Sequence, residues 1–127
     1  MIKRPINARF SDAVRTGRKT TTIRKSPWPI GTPIMLYNWA GLPYRSKHVD
    51  VVSISVISAK PITIVRTKLF DSMVYQGVGV DPFKIYITEG FNSQFEMDEW
   101  FRRLVKPGQA GKFFLMKFKL WVKKEGR

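Results

Sequence analysis

Residues 17–25, Gly-Arg-Lys-Thr-Thr-Thr-Ile-Arg-Lys, set four cations and three consecutive threonines side by side. A hydroxyl next to fixed positive charge suits two kinds of chemistry. Arginine offers a planar fork to a phosphate and lysine a point charge, so Arg18, Arg24 and Lys25 are candidates to meet a nucleic acid backbone. A threonine hydroxyl is also a nucleophile once a base lies within hydrogen-bond reach. A lysine serves as that base only when neutral, a state favoured by burial and by cations such as Arg18 and Arg24 nearby. The plain alternative is a solvated strand edge, since threonines form strands well and lysines usually sit on surfaces.

Three aromatic residues follow within reach of this stretch: Trp28, Trp39 and Tyr44. Each could stack on an unpaired base, worth about 1–3 kcal/mol where it does. Trp28, between two prolines, is the better ligand candidate, and Tyr44 joins it. Trp39 ends an apolar run and reads as a structural anchor.

Composition narrows the chemistry. The 127 residues carry 23 Lys and Arg against nine Asp and Glu, a formal net charge of +14. Such an excess attracts polyanions at long range, and nucleic acid rewards clustered cations by releasing counterions. There are no cysteines and one histidine, His48, which excludes disulfides, thiolate metal sites and a zinc site built on several histidines. No metal or cofactor is called for. No apolar run is long enough to cross a bilayer, and the basic start lacks a secretory apolar stretch. The expectation is a cytoplasmic protein with no membrane partner and one domain over 1–127.

The elements that must position these residues can be read in outline. Residues 11–17 form a short helix, with Ser11 as N-cap and Gly17 closing it. Strands are expected over 20–24, 34–39, 49–58, 62–70 and 112–121, with Pro61 marking a bend or bulge between the third and fourth. Residues 40–48 form a loop, and 71–83 give no clear signal. Ser93 to Glu96 match a capping box, and Phe95, Trp100, Phe101, Leu104 and Val105 then recur at helical spacing, with Trp100 and Phe101 as core. A basic tail follows at 122–127. The fold class is α+β, with five or six strands, two or three short helices, and a small, bent, barrel-like sheet as the economical core.

Three blocks in order resemble the ASCH domain family. They are Gly17, Lys19, Thr22 and Arg24 in a G-x-K-x-x-T-x-R pattern; "ITEGFNSQFEMDEWF" (87–101), similar to the family's later "EGF" segment and helix; and "KFFLMKFKLW" (112–121), similar to its last strand. The resemblance implies a PUA-like β-barrel related to RNA-binding domains. Some bacterial relatives hydrolyse the amide of acetylated cytidine, and others are described as cleaving RNA. Carried onto this chain, the working residues of the amidohydrolases become Lys19, Thr22 and Glu89. The chain departs from the pattern at Gly31-Thr32, where many relatives have Gly-Asp, and in its strongly basic charge. Those departures favour a polymeric ligand. The expectation is therefore a nucleic-acid-binding protein whose basic cleft contacts single-stranded RNA or a modified nucleoside. The alternative is a hydrolase, an acetylcytidine amidohydrolase or a ribonuclease, using the Lys/Thr/Glu set.

Overall fold

A computed structural model describes residues 1–122; of the expected basic tail only Val122 lies within them. The chain is α+β. The described residues form six strands, β1 (Ile2–Pro5), β2 (Thr21–Arg24), β3 (Pro33–Trp39), β4 (His48–Arg66), β5 (Met73–Gln76) and β6 (Ala110–Leu120), and the α-helices α1 (Ser11–Arg15), α2 (Ile85–Glu89) and α3 (Gln94–Arg102). The strands form one mixed sheet in the order β1-β3-β4-β6-β2, with β5 paired to β4. Among the paired strands of the described residues, only β1 and β3 run parallel.

The long strand β4 organises the sheet. Its first half pairs with β3 and its last four residues with β5, while β6 runs along most of its other side. Ile34, Leu36, Ile54, Val56, Ile62, Ile64 and Met116 from these strands are fully enclosed and make the core. This continuity corrects the expected break at Pro61. Pro61 stays in register opposite Phe114, between the last β3 pair at Ser55 and the first β5 pair at Thr63. A missing N–H is tolerated on a stretch with one unpaired side. The irregularity falls instead between Val56 and Ser58, where Ile57 is left exposed.

Three elements escaped the sequence reading. Strands β1 and β5 have four residues each and α2 has five, too short for a periodic pattern to declare itself. The helix at 93–105 is real but shorter, ending at Arg102, and Ser93 caps it by accepting from the Glu96 amide at 3.1 Å. Its buried stripe is Met97, Phe101 and then Val105 beyond the helix. Phe95 and Leu104, expected in that stripe, are exposed. Glu96 turns away from the cap to pair with Arg9.

β1 and β2 are the two ends of the strand order, yet they meet. Arg24, closing β2, donates from its Nη2 to the Pro5 carbonyl at the end of β1 at 2.9 Å. That hydrogen bond joins the two ends of the open sheet, and the space beneath it is the candidate site.

Candidate functional site

The junction between α1 and β2 is fixed by backbone. Gly17 takes a left-handed φ of 79°, the Lys19 amide donates to Ala13 and the Thr20 amide to Thr88, both at 2.8 Å. Residues 18–20 are therefore not a straight strand. In a strand, residues three apart would face opposite ways; here Lys19 and Thr22 line the same cleft. Glu89, at the end of α2, lines it as well. Gly90 stops that helix with a left-handed φ of 88°, which turns the chain directly beside Lys19. The three residues that the family resemblance selected are thus brought together.

The cleft has a volume of about 440 Å³. Lys19 and Glu89 lie at its floor, only 3% and 2% exposed. The Lys19 Nζ donates to the Glu89 carbonyl oxygen at 2.6 Å and stands 3.8 Å from the carboxylate Oε1. It also lies 4.7 Å from the centre of the Phe10 ring. Burial lowers the Lys19 pKa from its ordinary value, opposed by the Glu89 carboxylate and reinforced by the Arg24 charge. Burial likewise lowers that of Arg24. Lys19 and Arg24 therefore occupy a partly dehydrated site, where electrostatic interactions are stronger than in water.

The other carboxylate oxygen of Glu89 accepts from the Thr21 hydroxyl at 2.5 Å, and the Thr21 oxygen lies 3.1 Å from that of Thr88. Sequence reasoning passed over Thr21. The available signal was strand alternation: in a run of three threonines, neighbours point to opposite sides. Thr22 faces the cleft, where its oxygen accepts from Arg24 Nε at 3.3 Å. Thr21 instead faces a second cleft of about 360 Å³, lined among others by Lys60, Lys84 and Lys117. Glu89 stands between the two.

The aromatic and basic candidates divide. Phe10, Phe91 and Trp100 wall the cleft with edge-to-face contacts at 5.2–5.9 Å between centres. Trp100, expected in the core, is half-buried and lines it, as does Trp39, expected as an anchor. Trp28 is the reverse case. It is 7% exposed, its amide donates to the Met116 sulfur at 3.0 Å, and the Arg24 guanidinium covers its ring at 5.0 Å. It is a buried support for Arg24, so it is not available to stack on a ligand. Lys25 is exposed on the cleft. Arg18 is exposed and donates to Asn92 at 3.2 Å, away from the cleft lining. Tyr44 lies outside the cleft, on the turn after β3.

The described residues contain no group of three or more His, Cys, Asp or Glu able to hold a metal. No described helix is long and apolar enough to cross a membrane. Compared with protein-family models, with curated proteins and with solved structures, the chain matches none.

Proposed function

We propose that this protein is an ASCH-type, PUA-like module that binds single-stranded nucleic acid, RNA first, by taking one unpaired nucleotide into the cleft beneath β2. The observation that carries the reading is the cleft itself. Lys19, Arg24 and Lys25 converge on a space walled by Phe10, Phe91 and Trp100, on a chain of net charge +14. Aromatic walls suit a base, hydroxyl and amine groups suit its polar edge or sugar, and exposed cations suit the phosphate. The role fits a cytoplasmic protein.

The test is a titration of labelled single-stranded RNA across a range of salt concentrations. Neutralising about four phosphates gives a slope of log affinity against log salt of about −3. Absence of binding at low salt would overturn the reading.

A second reading is favoured by one specific feature, the enclosed Lys19–Glu89–Thr21 cluster. A lysine whose pKa is lowered by burial is suited to act as a base toward the Thr22 hydroxyl or a water, with Glu89 holding it in place. In this reading the cleft hydrolyses an amide, as on acetylated cytidine, or cleaves an RNA strand.

A further inference from the structure

Next to the cleft stands an aromatic group that the reading above does not use. Trp39, the last residue of β3, lines the cleft. The Tyr44 ring lies 5.3 Å from it, tilted by 50°, and that residue is 88% exposed. Behind them His48 packs 4.4 Å from Trp39 and stacks on Tyr37 at 3.8 Å. The rings form a continuous step from the cleft out onto the surface.

Tyr44 is held there against its own preference. Its φ of 63° places a bulky residue in the left-handed region that glycine favours. The turn that imposes this is well tied: the Gly41 amide donates to the Ser46 hydroxyl, which donates to the Leu42 carbonyl, both at 2.9 Å. The Ala40 amide donates to the Lys47 carbonyl at 2.9 Å. Strain that presents an exposed ring, rather than hiding one, is the kind retained for contact with a ligand. The neighbours say which ligand. Arg45 and Lys47 follow it on the same turn, both exposed, and among the described residues neither is in an ion pair.

Resting on the reading of the cleft as a nucleotide site, we infer that Trp39 and Tyr44 are a stacking platform for a second, adjacent unpaired base. The ligand is then a single-stranded chain rather than a free nucleoside. It leaves the cleft past Trp39 and crosses the 40–47 turn, with Arg45 and Lys47 on its phosphates. Stacking of this kind tolerates any base sequence but requires an unpaired strand.

The experiment compares a mononucleotide with a short single-stranded RNA oligomer on wild type, Tyr44→Gly and Tyr44→Phe. Glycine removes the ring while suiting the left-handed backbone, and the exposed position keeps the fold out of the result. Tyr44→Gly is expected to weaken oligomer binding about 5- to 150-fold and leave the mononucleotide unchanged, with Tyr44→Phe close to wild type. The platform is overturned if Tyr44→Gly leaves the oligomer affinity intact, if it weakens the mononucleotide equally, or if duplex binds as well as single strand. Lys25→Ala and Trp100→Ala separate the two ideas. Loss with Tyr44→Gly alone, and none with those two, keeps the platform and removes the cleft.

Discussion

The Lys19 ammonium and Glu89, seventy positions apart in the chain, meet in the interior with the amine 2.6 Å from the Glu89 carbonyl and 3.8 Å from its carboxylate. Burying both charges is unfavourable except as a pair, so the two residues hold α2 against the start of β2 and at the same time fix the floor of the cleft. Removing one partner deprives the other of its close buried counter-charge.

That coupling predicts a stability cycle. Lys19→Met leaves the Glu89 carboxylate buried with Thr21 as its side-chain partner, and is expected to cost about 3–5 kcal/mol, the range for breaking a buried pair. Lys19→Met combined with Glu89→Gln removes both charges and keeps an acceptor for Thr21, so most of that loss returns. Urea denaturation of the two single variants and the double variant measures the coupling. Additive losses would show that the pair does not act as a unit.

The lowered pKa of Lys19 carries a sign. Between its folded value and the ordinary 10.5, the unfolded chain binds more protons than the folded one, so stability contributed at this site rises with pH. The penalty is complete below the folded pKa and is gone above 10.5. Other lysines titrate in the same region, so the useful quantity is the difference between wild type and Lys19→Met. Wild type should gain on the variant as pH climbs toward 10.5, read from thermal unfolding at each pH. Parallel profiles would contradict burial as the dominant cause.

Gly90 makes the same corner sensitive to a single methyl group. Its φ is 88°, and an added Cβ would lie 3.1 Å from Lys19 Cβ, 3.2 Å from Lys19 Cδ and 3.3 Å from Phe10 Cδ1. Gly31 has a similar φ of 78° but nothing within 4 Å of the same position. Gly31→Ala should cost about 1 kcal/mol from backbone strain. Gly90→Ala adds the clash and should cost clearly more, while pushing Lys19 from its place and weakening ligand binding. Equal melting temperatures for the two variants would refute the close packing.

Much of this arrangement was readable in the sequence, for physical reasons that also explain the misses. Gly17 and the β-branched residues 20–23 announce a helix end and a strand through local preference, and both are there. Ser93 announces a cap for the same reason. What brings Lys19 to Glu89 is not local: α2 has five residues, carries no periodic stripe and is held by contacts with β2. Trp28 is buried and Trp39 lines the cleft, the reverse of the expected placement, because burial depends on which side of the strand or turn meets the core. The flanking prolines of Trp28 hint at a loop and are silent on its direction. Thr21 and Thr22 are chemically identical, and only register against Lys117 and Met116 separates the one bound to Glu89 from the one on the cleft.

That separation gives the catalytic reading its sharpest test. If the cleft hydrolyses an amide, the acting hydroxyl is on the cleft side, and Thr22→Val should abolish turnover on acetylated cytidine while leaving affinity largely in place. Thr21→Val acts differently. It deprives Glu89 of a hydrogen bond, a loss of about 1–3 kcal/mol for a buried acceptor left unpaired, and lowers turnover only through the position of Lys19. A lysine base also imposes a pH profile, with turnover rising as Lys19 loses its proton and an apparent pKa below 10.5. The measurement is turnover against pH for wild type, Thr22→Val and Thr21→Val, with affinity measured in parallel. Absence of wild-type turnover, or turnover that survives Thr22→Val with an unchanged profile, removes catalysis and leaves a binding cleft whose lysine is buried for structural reasons alone.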